Sequence, residues 1–425
     1  TTVCSILFGI IGGYVIQKWR TRMGRYRHWY FICLIPMFVL TVSYFYVPHG
    51  WTIQQMNMFR YAIACGQTVF NIFSNASFNL VQVISPNHKE KKTVATLWQL
   101  SYYIGYGGAY IATFVYGLFS DDKNQMYMIL AVIAATVTLL GNLMVGLFCK
   151  ERIELPRKEK VKISKSIFQL FKDRNYLAYH CIQWANTLAM LGKMSTYLAA
   201  ITVGSSKNLL LTLPTAIGTV VGNLITTKLS KKYEPTKLLK FCGPYSMISA
   251  GVLFAICFVE AKMGIVFFEG WNSIFFYAFY FIFGLGIGVQ ELSNSHFNVE
   301  FYDYLEWKTG ERMEAIQGIV PGWIQTGLNY LKDLFIPYMI AWVGYKSSVE
   351  GDLVATMRAE PTYMKTCLWL LAFLVFGYAM SNLLKAIILK TMYNVEGENK
   401  EKMYSDLATM RAERHIENEK IDAEN

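Results

Sequence analysis

Three stripes of polar and aromatic residues stand inside otherwise apolar stretches of this chain. Thr68, Asn71, Asn75 and Asn79 are spaced three or four apart, so on a helix they share one face. Gln99, Tyr102, Tyr103, Tyr106 and Tyr110 make a second stripe, amide then aromatic, and Trp323, Thr326 and Tyr330 a third. Amides donate and accept hydrogen bonds, while an aromatic ring offers an apolar platform. Together they suit a solute with hydroxyls on its rim and C–H bonds on its face, as a sugar ring has. The same stripes would also serve to join helices; for Asn75 and Asn79 the two readings balance. Lys193, Glu291, Lys332 and Asp333 are charges within apolar runs, and charge at that depth marks function by default. Glu291, near Gln290 and Asn294, is the candidate proton carrier, against the plainer reading of a solvated or paired carboxylate. His180 and His296 stand near loops and read as solvated. No nucleophile–base pair or metal-ligand set shares a face, so neither an enzyme, a metal site nor a cofactor is expected.

The elements that would position these residues follow from composition. Of 425 residues, 54% are hydrophobic and 16% charged, and apolar runs of about 20 residues, each long enough to cross a bilayer core, recur along the length. The reading is an all-α, multi-pass membrane protein. The net charge of +11 does not point to nucleic acid, because the basic residues fall in alternate loops beside the runs. There they would face the cytoplasm and anionic lipid. Eight scattered cysteines form no CxxC pair and read as small packing residues.

Direction is set by Gly13–Trp29, which carries Lys18, Arg20, Arg22, Arg25 and Arg27 around Gly24. Such a loop marks the cytoplasmic side. Eleven spans follow: Thr1–Gln17, Trp29–Val47, Phe59–Val81, Val94–Phe119, Met126–Phe148, Leu177–Val203, Leu209–Thr227, Phe241–Val259, Trp271–Asn298, Ala315–Tyr345 and Tyr363–Ile388. Glu300–Glu314 reads as an inside loop. The chain divides into an N-terminal half (1–149), a basic central loop (150–176), a C-terminal half (177–392) and a charged cytoplasmic tail (393–425). Within the central loop, Ile163, Ile167, Phe168 and Phe171 alternate with lysines as in a helix lying on the inner leaflet. The chain opens inside an apolar run, so one preceding helix is expected, making two pseudo-symmetric halves of six. Gly105, Gly107 and Gly108, Gly284, Gly286 and Gly288, and the Gly218/Gly222 pair lie in apolar spans and read as close helix packing, not a phosphate loop. The segment DLVATMRAE (Asp352–Glu360) returns as DLATMRAE (Asp406–Glu413) on the opposite side of the membrane; the sequence assigns the pair no function.

Two loops carry a family resemblance. RTRMGRYRHW (Arg20–Trp29) resembles the loop after helix II of the glycoside–pentoside–hexuronide:cation symporters, with His28 in place of the usual proline. DYLEWKTGERMEAI (Asp303–Ile316) resembles that family's loop after helix X, with Asp303, Glu306, Lys308 and Arg312 matching without a gap. The resemblance implies a major-facilitator bundle of the melibiose-permease-like kind with helix I missing, and sugar transport coupled to sodium, lithium or protons. It also implies that Arg20, Arg22, Gly24, Arg25 and Arg27, with Asp303, Glu306, Lys308 and Arg312, work at the cytoplasmic gate. The helix II aspartates of the family's cation site fall on Ser5 and Gly9, and only Thr68 retains a cation-site hydroxyl. A sodium ion usually needs an anion to offset its desolvation, so the sodium site reads as dismantled. The family's charged sugar cage likewise falls on Asn71, Gln99 and Thr326, which are neutral.

The expected function is therefore secondary transport of a sugar, glycoside or related neutral solute across the cytoplasmic membrane by alternating access, proton-coupled or uncoupled. The substrate face is assigned to Asn71, Asn75, Gln99, Tyr102, Tyr103, Tyr106, Trp323 and Thr326. Two alternatives stay open: a transporter of a different small neutral solute, and a transport-inactive membrane sensor or regulator.

Overall fold

The computed structural model describes residues 2–19, 21–46, 48, 50–119, 123–153, 170–189, 193–204, 208–310, 317–346 and 353–424. Helices α1 (Thr2–Lys18), α2 (Arg27–Phe45), α3 (Ile53–Phe78), the single turn α4 (Leu80–Val83), α5 (His88–Phe119) and α6 (Lys123–Phe148) build the first half. The second comprises α7 (Arg174–Ala189), α8 (Met194–Thr202), α9 (Asn208–Leu229), α10 (Pro235–Lys262), α11 (Ser273–Thr309), α12 (Ile319–Trp342) and α14 (Tyr363–Met392). Short α13 (Leu353–Arg358) precedes α14, and α15 (Glu398–Glu424) follows it. Among the described residues, each of the eleven expected spans is largely helical, the sixth as α7 and α8. Among the described residues six, in α2, α6, α9, α10, α11 and α14, are long and apolar enough to cross a membrane by length and composition. The remaining spans include the carriers of the amides and charges noted above: α3, α5, α7 with α8, and α12.

Packing follows from what a bilayer permits. Lipid tails supply no hydrophobic drive between helices, so close approach depends on small residues. Gly218 and Gly222 on α9 face Gly284 and Gly288 on α11. A Cβ on Gly222 would strike the Leu285 carbonyl, and one on Gly288 the Thr219 carbonyl. The two helices thus cross backbone against backbone, which fixes the face of α11 that carries Glu291. Gly105, Gly107 and Gly108 on α5 have no such neighbour. Outer helices look different: 11% of the apolar window of α6 is buried against 56% for α14, so α6 lies at the rim.

One expectation is corrected. Residues 300–309 are not a loop: α11 runs unbroken to Thr309 and stops at Gly310, whose left-handed φ of 72° closes the helix. The reason is an aromatic core continuing beyond the apolar run, where Phe297, Phe301, Tyr304 and Leu305 bury against Tyr176 and Tyr179 of α7. Tyr179 and Phe301 stack at 3.5 Å. The charged tail forms helix α15, whose Met403 and Leu407 join that same core. Most of the central loop, with its candidate surface helix, lies outside the described residues.

The basic loop before α2 is shaped by an anion from its own half. The Glu151 carboxylate accepts the backbone N–H groups of Arg25, Tyr26 and Arg27 at 3.0, 2.6 and 3.1 Å, satisfying donors that a helix start leaves open. Gly24, at φ 106°, lies against that carboxylate where a Cβ would collide with it. The halves meet where α5 packs on α9 and α11, and α1 on α12.

Candidate functional site

Between α5 and α11 lies a cavity of about 290 Å³, bordered by Trp98 and Gln99 of α5, Asn186 of α7, Gln290, Glu291, Asn294 and Asn298 of α11, and Tyr378 of α14. Its walls are mostly amides. Asn186 donates to Gln183 at 3.1 Å, Gln183 donates to Asn298 at 3.0 Å, and the Tyr378 hydroxyl donates to Gln290 at 2.7 Å. Two acceptors are left over: Glu291 Oε2 and Asn294 Oδ1 are buried without a hydrogen-bond partner. They stand three residues apart on one helical face. A buried acceptor without a donor is costly, and a hydroxyl-bearing solute would supply two donors at once. A second cavity of about 180 Å³, bordered by Asn79, Gln82, Trp98, Asn298 and Tyr302, adjoins the first across Trp98.

Toward the start of α5 and the end of α11, the same two helices are bolted together. Thr96 Oγ1 and His296 Nε2 lie 2.9 Å apart. Next, Lys92 meets Glu300 at 2.6 Å, and Lys91 meets Asp303 at 2.6 Å with both side chains at most 1% exposed. Eight residues of α5 separate Lys91 from Gln99, about 12 Å along the helix. Helix α15 caps this layer. Arg411 reaches Asp303 at 3.0 Å and Glu306 at 2.6 Å, Arg414 reaches Glu306 at 2.7 Å, and Lys400 reaches Glu300 at 2.7 Å. Arg411 also donates to the Pro86 carbonyl at 3.2 Å, so the tail holds both halves. His88, at the start of α5, stacks on Tyr404 of α15 with ring centroids 4.7 Å apart. Burial, then the nearby Lys92, holds its proton affinity below the ordinary histidine value.

Of the residues named from sequence, Gln99 and Glu291 share the cavity. Asn71 is exposed on α3, and Tyr102 is 54% exposed. The Tyr103 hydroxyl is buried without a partner. Trp323 is exposed, and Thr326 donates to the Gly322 carbonyl of its own helix at 2.9 Å. Thr68 does likewise toward Ala64 at 2.7 Å. The side chains of Ser5, Asn75 and Tyr106, and the whole of Arg20 and Arg312, lie outside the described residues. Gly9 has open space beside it. In the basic loop Arg22 is exposed and Arg25 buried, while Arg27 donates to the Gly146 and Leu147 carbonyls of its own half. Lys308 pairs with Asp173 at 3.8 Å. Among the described residues, Lys91 of α5 and Arg411 and Arg414 of α15 meet Asp303 and Glu306. Sequence reading missed Lys91, Lys92, Arg411 and Arg414, and Asn186 and Asn298, and named Asn294 only as a neighbour of Glu291. The spacing of Glu291, Asn294 and Asn298, three and then four, was a usable signal.

Two helical halves around a polar cavity, with an ion-paired floor beneath it, define a multi-pass membrane transporter of the major-facilitator fold. Residues 2–395 match the family model described as MFS/sugar transport protein, and the chain belongs to that family. Among solved structures, the chain is similar to the proton:xylose symporter XylE bound to 6-bromo-6-deoxy-D-glucose, at 10% identity over 95% of this chain and 87% of that one, with a TM-score of 0.56. It is also similar to the E. coli fucose:proton symporter FucP, at 13% identity over 89% and 86% of the two chains, with a TM-score of 0.50. No curated protein matches the chain.

Proposed function

We propose that this chain carries a neutral sugar, glycoside or similar polyol across the cell membrane by alternating access, acting as a transporter and not as an enzyme. The observation that carries the reading is the pair of orphaned acceptors, Glu291 Oε2 and Asn294 Oδ1, in an amide-lined cavity between the halves. Gln99, with Trp98 beside it, presents the opposing wall. The aromatic and amide residues farther from the cavity, Asn71, Asn75, Tyr102, Tyr103, Tyr106, Trp323 and Thr326, are assigned to the solute's path in other states of the cycle.

Sodium coupling is not part of the proposal. Where α1 meets α3, Cys4 and Cys65 bring their sulfurs to 3.6 Å, and thiols are soft ligands ill-suited to a hard cation. A proton on Glu291, or no ion, accompanies the solute. The proton reading is also favoured because the named neighbours XylE and FucP are proton symporters.

Counterflow in proteoliposomes tests this. A panel of labelled neutral hexoses, pentoses and glycosides is expected to contain at least one that exchanges, with no sodium requirement. Gln99→Leu and Asn294→Leu should each lower exchange about tenfold or more, since leaving a polar partner unmet costs about 1–3 kcal/mol. Binding without exchange would favour a sensor, and a firm sodium requirement would contradict the lost cation site.

A further inference from the structure

Lys385 of α14 is 1% exposed and does not border the transport cavity. A buried ammonium is costly unless an anion or several acceptors meet it. Lys91, equally buried, has Asp303 at 2.6 Å. Among the described residues, Lys385 has a single hydrogen bond, a long one of 3.4 Å to Asn382 Oδ1. That amide is itself aimed. Its N–H donates to Ser246 Oγ of α10 at 2.9 Å, which turns its oxygen toward the ammonium.

What the ammonium leans toward is the cavity wall. Tyr378, Asn382 and Lys385 follow one another at four and three residues, so they share one face of α14. Tyr378 borders the cavity and donates to Gln290, the neighbour of Glu291. Lys385 lies seven residues farther on, about 10 Å along the helix. Helical side chains tilt back toward the helix start, and the bond to Asn382, one turn back, follows that tilt. The titratable groups that act on Lys385 are Glu291 of α11 and the Cys242 thiol of α10, and a thiol is much the weaker acid. Two misfits thus answer each other: an ammonium without an anion beside it, and a carboxylate oxygen, Glu291 Oε2, without a donor. A side chain that only filled space between α10 and α14 would need no charge.

We infer that Lys385 is the fixed counter-charge of Glu291 and, through it, a positioning residue for the solute. From behind the wall it favours the charged carboxylate in the empty cavity, where a solute hydroxyl then meets a ready acceptor. Hydrogen bonds to an ionised acceptor are the stronger kind. The positioning role rests on the transport reading; the pairing of the two charges does not.

The pairing is tested on the full chain in detergent, without solute, by thermal midpoint. Lys385→Met and Glu291→Gln should each lower the midpoint, because each strands a buried partner. The double variant should lie above both singles, and Lys385→Arg, which keeps the charge, should stay nearest the wild type. A double variant whose loss is the sum of the two singles would overturn the pairing. The positioning role is tested by counterflow of a transported neutral sugar. Lys385→Met should raise the half-saturating concentration about tenfold with a smaller change in maximal rate, and Lys385→Arg should restore it. Compensation in the midpoints with an unchanged half-saturating concentration would overturn that role. If the wild-type chain exchanges no sugar, the transport reading fails and the positioning role with it, while the midpoints still decide the pairing.

Discussion

Glu291 and Asn294 show what a single residue can and cannot announce. Glu291 was legible because a carboxylate in an apolar run is costly unless used. Gln99 was legible because it sits at the head of an aromatic stripe. Asp303 was recognised by its motif, but its partner Lys91 lies 212 residues away, and no local pattern reports such a pairing. Gly24 makes a prediction at this scale. Its φ of 106° suits glycine, and alanine there should cost about 1–2 kcal/mol from backbone strain while pushing on the Glu151 carboxylate. A lower thermal midpoint for Gly24→Ala in micelles is the expected result, with Glu151→Gln acting in the same direction. His88 makes another. Because its folded proton affinity is depressed, the docked tail is favoured above the ordinary histidine pKa of about 6.5 and loses that support as pH falls below it. A spin label on α15 should therefore become more mobile on acidification, and His88→Phe should remove that dependence.

At the scale of elements, the spans were readable because each is a long apolar run, while their ends were not. Helix α11 outlasts its apolar stretch because Phe301 and Tyr304 bury against α7, a contact invisible in the local charge pattern. Helix α15 reads as a charged tail, and its anchors, Met403 and Leu407 in the core and Arg411 and Arg414 on Asp303 and Glu306, are too sparse to show as an apolar run. The repeated segment gains a physical account here. Arg358 of the first copy bonds Glu269 and the Thr202 carbonyl, while Arg411 of the second bonds Asp303, Glu306 and the Pro86 carbonyl. Each copy is a short helical clamp held by its arginine, one at each end of the bundle. The glycine crossing of α9 and α11 was legible as spacing. Gly222→Leu or Gly288→Leu should prevent that approach and lower the yield of folded protein in detergent, as read by size-exclusion chromatography. The same change at Gly108, which has no neighbour, should be far milder.

For the whole molecule, the two-halved fold was legible in the recurring apolar runs and in the family resemblance. What could not be read was which helices bolt the floor, since that depends on how α5 and α11 lie together. Breaking one partner of a buried ion pair typically costs about 3–5 kcal/mol. Lys91→Met should accordingly shift the chain toward an inward-open state, seen as faster cytoplasmic labelling of a cysteine placed at Asn298. The central claim is that solute passes between the halves and that the Lys91–Asp303 layer must open to release it. Its most direct test is counterflow of a transported neutral sugar by a Lys91→Cys, Asp303→Cys variant on a background freed of other cysteines, before and after oxidation. The account expects exchange to stop when the two cysteines are joined and to return on reduction. Exchange that continues undiminished across the closed disulfide would contradict it.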